Sequence, residues 1–186
     1  MELDEILRGV KKKNRKAQKA LYDQYSSLFM AIAMRYLKDI HEAEDAVAEA
    51  FIKIYTKIKS FKDKGSFEGW MKRIVVNECL MMLRRKKKQH LYIPLEDVEI
   101  QIDPEVIAKM SAEEILDVIR ELPDGYRTVF NLYEIDGLKH REVAEELGIS
   151  IHTSKSQLIM AKRKLQELLK KNMRNISDER QENTAG

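Results

Sequence analysis

The chain has 186 residues, with 34 Lys and Arg against 31 Asp and Glu and a formal net charge of +3. Hydrophobic residues at 44% and charged residues at 35% describe a highly charged globular protein and exclude a disordered one. Seven Gly and three Pro favour helix throughout. The single Cys79 excludes an internal disulfide and fits a reducing compartment. No apolar run approaches the ~20 residues of a membrane span, and the first residues are acidic where a signal peptide is basic. A cytoplasmic location is the simple expectation.

The charge is segregated. Residues 1–90 hold 21 bases and 12 acids, whereas residues 91–110 hold one base and five acids. Residues 111–150 hold four bases and ten acids, and residues 151–174 hold seven bases and one acid. Two basic surfaces separated by acidic stretches fit two contacts with a polyanion, although solvated basic faces are common on helical proteins.

In chain order, residues 17–37 are apolar-periodic through Ala20, Leu21, Leu28, Phe29, Ile32 and Tyr36. Asp39, with Glu42 three residues on, predicts a helix start. It precedes a stripe of Ala43, Ala46, Val47, Ala50, Phe51, Ile54, Tyr55 and Ile58 at helical spacing. A polar turn from Ser60 to Ser66 breaks that pattern. A further helix is expected from about Phe67, with Trp70, Met71, Ile74 and Val75 on its apolar side, running into the basic stretch 84–88.

Residues 91–110 carry Pro94 and Pro104 and predict a semi-extended acidic linker. Twenty stretched residues span roughly 60–70 Å, nearly two turns of DNA at about 34–36 Å each. Helix resumes at Ser111, whose Glu114 completes a capping-box pattern, with Ile115, Leu116, Ile119 and Leu122 inside. Leu122-Pro123 closes it. Tyr126, Val129, Phe130 and Tyr133 mark the next helix, ending near Asp136-Gly137, and a polar tail follows from about residue 173.

Residues 138–164 form the sharpest motif. Val143 and Leu147 are expected inward, with small Ala144 where a second helix crosses. Gly148 supplies the turn, Ile149 a core plug, and Ser150 a cap. The following helix places Leu158, Ala161 and Leu165 inward and leaves Lys155, Ser156, Ile159, Met160, Lys162 and Arg163 outward. That is what a major-groove recognition helix requires. A helical hairpin with a charged face is the plainer account of the same pattern.

The stretch from Glu134 to Leu158, with the preceding Leu122-Pro-Asp-Gly-Tyr-Arg-Thr-Val-Phe, resembles region 4 of extracytoplasmic-function (ECF) bacterial sigma factors. Residues 39–62 resemble region 2.2, and Gly69 through Leu80 resemble regions 2.3 and 2.4. The resemblance covers about 17–90 and 111–170, in order and spacing. It implies an all-α protein of two small helical domains, 1–90 and 111–172, joined by a flexible acidic linker, the second domain a helix-turn-helix. It also implies a factor that binds core RNA polymerase and reads the −10 and −35 elements of promoter DNA.

Carried onto this chain, the resemblance places Asp45, Glu49, Ile52 and Lys53 against polymerase. Charge pairs on a solvated face would explain the same residues. The loop Phe61, Lys62, Asp63, Lys64, Gly65, Ser66 and Phe67 would capture a flipped −10 base beside Asn77, with Lys72, Arg73, Arg84 and Arg85 on the strand backbone. Trp70 is better read as core than as a base contact. On the recognition helix, His152, Ser154, Lys155, Ser156, Ile159, Met160, Lys162 and Arg163 would face the −35 element. Gln157 and Met160 stand where relatives often carry Arg, and Tyr133 where many carry a phosphate-contacting Arg, so an unusual −35 sequence is expected. The acidic linker, through Glu96, Asp97, Glu99, Asp103 and Glu105, would either thread polymerase's RNA path or be merely solvated. Members of the family are usually held by an anti-sigma factor.

An enzyme is not expected. His41, His90, His140 and His152 lie in separate segments without metal spacing, and there is no phosphate loop, nucleophile motif or cofactor signature. A stand-alone helix-turn-helix regulator would explain 111–170 but leave 39–88 unexplained. A scaffold protein would tolerate replacement of Lys155 and Ser156.

Overall fold

The computed structural model describes residues 2–61, 66–86 and 111–182, with side chains for all of these except 112, 113 and 172–182. The described residues form helices and turns without strands. The chain divides into two compact units, Met1–His90 and Leu91–Gly186. The 91–110 linker expected from the sequence lies outside the described residues.

The first unit begins with α1 (Leu3–Lys11), which buries Ile6 and Val10. A turn with Lys13 at φ 59° leads to α2 (Arg15–Tyr36). Asn14 caps α2, its Oδ1 accepting from the amides of Lys16 at 2.9 Å and Ala17 at 3.2 Å. Gly9 sits against Ala17, so the two helices approach with only the Ala17 methyl between them. Asp39 caps α3 (Ile40–Lys57) as its sequence position predicts, accepting from the His41 and Glu42 amides. Those bonds, the one from Glu42 foremost, hold the Asp39 carboxyl below the usual carboxylate range.

The predicted stripe on α3 is the buried one: Ala43, Ala46, Val47, Ala50, Phe51 and Ile54 lie inside, and Ile58 continues it in a short 3₁₀ turn, Ile58–Ser60. Phe51 meets Phe29 of α2 with ring centroids 5.1 Å apart. Burying each such ring contributes roughly 2–3 kcal/mol. Tyr55, at the edge of the stripe, donates its hydroxyl to the Gln18 carbonyl at 2.9 Å. The fourth helix, α4 (Phe67–Lys86), packs Met71, Val75, Cys79 and Leu83 inward.

The second unit opens with α5 (Ala112–Glu121). Its capping box is formed, the Ser111 amide donating to Glu114 at 2.7 Å and the Glu114 amide to Ser111 Oγ at 3.2 Å. Pro123 stops α5, and α6 (Asp124–Phe130) follows. Arg127, only 1% exposed, donates to the Leu122 carbonyl at 2.8 Å and to Asp124 at 2.9 Å. A buried cation thus satisfies carbonyls left open at the end of α5 and ties them to the start of α6. A five-residue π turn, Asn131–Ile135, extends α6. Then come α7 (His140–Leu147) and the 32-residue α8 (Ile151–Glu182). Val118, Ile119 and Leu122 pack against Ala161, Leu165 and Leu169 of α8. Helical backbone continues past Asn172, where the sequence predicts a polar tail.

Candidate nucleic-acid interface

The joint between α7 and α8 follows from local chemistry. The Lys139 amide donates to the Glu142 carboxylate at 2.8 Å, opening α7. Gly148 closes it at φ 64°, ψ 37°, a left-handed conformation that glycine adopts without steric cost. Ser150 Oγ accepts from the Thr153 amide at 2.9 Å and starts α8. Val143 and Ala144 of α7, with Leu158, Ala161 and Leu165 of α8, are buried between the helices and their neighbours. This is a helix-turn-helix.

The open face of α8 carries exposed Ile151, His152, Lys155 and Arg163, with Ser156, Ile159, Met160 and Lys162 half-buried among them. Lys162 reaches back to Glu134 of the π turn at 2.7 Å, and Arg163 lies 3.7 Å from Glu167. Lys155 has no ion pair among the described residues. Beneath them the His140 ring stacks on Tyr133, centroids 4.2 Å apart and planes at 23°. Burial, with Lys155 and Lys162 nearby, lowers the pKa of His140 and favours the neutral imidazole, against the opposing pull of Glu134.

In the first unit, Phe61, Phe67 and Trp70 form one aromatic cluster with centroids 5.2–5.6 Å apart. Ser66 Oγ accepts from the Gly69 amide at 3.3 Å and starts α4 there. From Trp70 the positions Arg73, Asn77 and Arg84 follow at helical spacing, forming a stripe that carries a half-buried ring, an amide and two exposed cations. Lys72, beside the stripe, pairs with Glu68 at 2.7 Å. An aromatic surface flanked by cations and an amide can stack an unpaired base and hold its phosphates. On the outer side of α3, Asp45, Glu49 and Ile52 are exposed together, Ile52 at 54%.

The chain matches the family models of sigma-70 region 2 over residues 21–89 and sigma-70 region 4 over residues 112–165. It is 29% identical over 189 residues to the ECF RNA polymerase sigma factor SigW of Bacillus subtilis strain 168, covering 95% of this chain and 99% of that one. The chain belongs to the ECF RNA polymerase sigma factors. It is a factor for transcription initiation. The ECF sigma-E factor of Escherichia coli K12 is 27% identical over 172 residues, covering 84% of this chain and 88% of the relative. The fold of this sigma factor is also similar to that of RpoE from Bartonella quintana, solved with the anti-sigma factor NepR. That likeness has a TM-score of 0.52 at 24% identity, over 82% of this chain and 96% of the other.

The geometry of this sigma factor corrects three expectations. Ser154 is 0% exposed, its hydroxyl 2.9 Å from His140 Nδ1, so it cannot present itself to a base edge. Phe67, the first residue of α4, is 6% exposed, its ring packed edge-on against Phe61 and stacked on Trp70. It forms the floor of the aromatic cluster rather than a contact surface. Lys53 turns away from Asp45, Glu49 and Ile52 toward α4, where both Glu78 oxygens lie 2.7 Å from its Nζ. Glu78 sits among the buried residues of α4, and no local pattern links it to a lysine 25 positions earlier. Trp70 is half-buried, part core and part surface. Gln157 directs its amide toward Gly125 of α6, 3.8 Å from where a β-carbon there would stand. Lys62, Asp63, Lys64 and Gly65 lie outside the described residues. Exposed Arg85 lies beside Arg84 at the end of α4. Tyr133 and His140 form the contact that the sequence left unmarked as a pair.

Proposed function

We propose that the two units of this sigma factor divide promoter recognition between them. The first unit binds core RNA polymerase through Asp45, Glu49 and Ile52 of α3. It captures the opened −10 strand on the aromatic cluster and the Trp70–Arg73–Asn77–Arg84 stripe. The second unit docks α8 in the major groove of the −35 element, with Lys155, Ser156, Ile159 and Met160 toward the bases and Arg163 toward phosphate. The observation that carries this division is the pairing of a capped helix-turn-helix in one unit with a cation-flanked aromatic face in the other. Single strands need the second surface and duplex needs the first. The 91–110 segment, 20 residues with net negative charge, would join the two.

As an ECF sigma factor it acts in the cytoplasm without catalytic chemistry of its own. Among the described residues no helix is long and apolar enough to cross a membrane. An anti-sigma factor, as in the RpoE–NepR complex, is the further protein partner.

Run-off transcription with purified core polymerase and genomic fragments tests the reading, with permanganate footprinting of the opened strand. Wild-type protein directs transcripts with defined starts. Arg73→Ala with Asn77→Ala leaves duplex binding but loses strand opening, whereas Lys155→Ala with Ser156→Ala loses binding at the −35 element. DNA binding without polymerase and without any effect on initiation would overturn it.

A further inference from the structure

Ser154 occupies an unusual place on α8. It is fully enclosed, yet its two neighbours in sequence are Thr153, whose amide is capped by Ser150, and the exposed Lys155. A hydroxyl shut away from water demands a partner. The one provided is His140 Nδ1, 2.9 Å distant, on the first residue of α7. The imidazole is in turn seated on the Tyr133 ring at 4.2 Å. Glu134, next to Tyr133, grips Lys162 two turns further along α8 at 2.7 Å. Three elements are therefore joined at one end of the recognition helix: the π turn, the start of α7 and the first turns of α8. Apolar packing of Val143, Ala144, Leu158 and Ala161 fixes how closely α7 and α8 approach. Smooth apolar contacts resist sliding and rotation weakly, and a directional hydrogen bond resists both.

We propose that His140 is a positioning residue for −35 recognition. Through Ser154 it sets the rotation of α8 about its axis, so that Lys155, Ser156 and Ile159 meet the base edges in register. The Tyr133 ring holds the imidazole plane in the orientation that points Nδ1 at the hydroxyl. With Nδ1 engaged by the Ser154 hydroxyl and the ring by Tyr133, its contribution lies in discrimination between sequences rather than in the electrostatic part of affinity. The proposal rests on the assignment of α8 to the −35 element.

The test uses holoenzyme assembled from core polymerase and a promoter fragment recovered by the wild-type factor from genomic DNA. The comparison fragment is the same DNA with its −35 region scrambled. His140→Phe keeps a ring to stack on Tyr133 but cannot bond Ser154, and Ser154→Ala removes the hydroxyl. Each is expected to cut the ratio of intact to scrambled binding by about tenfold, the effect of one lost oriented contact. The double variant should be no worse than either single one, because both break the same link. His140→Asn places an amide close to the position of Nδ1 and should recover most of the ratio. The slope of affinity against salt should not change in any of them. Equal ratios in wild type and variants, or additive losses in the double variant, would sink the proposal. So would a salt slope reduced by about one in His140→Phe, which would make His140 a phosphate contact instead. If wild-type holoenzyme itself fails to distinguish the scrambled fragment, the assignment of α8 has failed and the proposal falls with it; a discriminating wild type with unaffected variants overturns the role of His140 alone. Ser154→Ala, the smaller change, is read alongside its thermal melt, so a folding defect is separated from a loss of register.

Discussion

At Gly148 the backbone stands at φ 64°, where any β-carbon is strained, and nothing crowds the position. Gly148→Ala is therefore expected to cost about 1 kcal/mol through backbone strain alone. Gly125 presents the opposite case. It lies within α6 in ordinary helical backbone, and an added methyl would meet only the Gln157 amide at van der Waals distance. Gly125→Ala should stabilise by up to about 0.5–1 kcal/mol. Gly9 is the third kind, since a methyl there runs into the Ala17 side chain. Gly9→Ala should cost about 2 kcal/mol by forcing α1 from α2. Urea melts of the three variants distinguish strain, propensity and overpacking, and a reversed order would refute the assignments.

Tyr55 offers a titration at the same scale. Burial, with Tyr22 and Asp23 nearby, pushes its phenol up to about 12 from the ordinary 10.0. The folded state thus holds this proton more tightly than the unfolded one. The stability it contributes is whole below pH 10 and is lost as pH rises from about 10 to about 12. Absorbance at 295 nm should show phenol ionisation near pH 12, and Tyr55→Phe should reduce that component by one group.

At the scale of elements, α3 and α4 are held together by a buried charge pair as well as by their apolar faces. The Glu78 side chain is 8% exposed and the Lys53 side chain 31%. Lys53→Met leaves a carboxylate enclosed without its cation, at an expected cost of about 2 kcal/mol. The double replacement of Lys53 by Met and Glu78 by Leu should return most of that stability, because neither charge is then stranded. Equal losses in the single and double variants, read by chemical denaturation, would show that the pair does not couple the helices. The helices themselves were largely legible in the sequence. The stripe along α3 and into the following 3₁₀ turn needed only its period, and the Asp39 and Ser111 caps only their spacing. Helix α1 was not anticipated, since Ile6 and Val10 alone make a pattern too short to stand out among charges.

Across the whole molecule, separate cation sets serve the proposed duplex and single-strand contacts. Arg163 is exposed and stands 3.7 Å from Glu167, while Lys162 is partly neutralised by Glu134 at 2.7 Å. Arg163→Ala in holoenzyme should lower the salt slope of promoter binding by about one, and Lys162→Ala by less. Equal slopes for both variants would mean that the Glu134 pair opens on binding.

The sequence by itself determined the all-α class, the two helical segments, the helix-turn-helix with its Gly148 turn and Ser150 cap, and the family resemblance that the matches to regions 2 and 4 bear out. Those features depend on period, spacing and capping chemistry, all of which act within a few residues. Only the tertiary structure decided which side chains near the proposed contacts are free to make them. It enclosed Ser154 against His140, placed Phe67 under Phe61, and drew Lys53 to Glu78 across 25 positions. Each of those choices depends on a partner brought from another helix, and no local pattern carries that information.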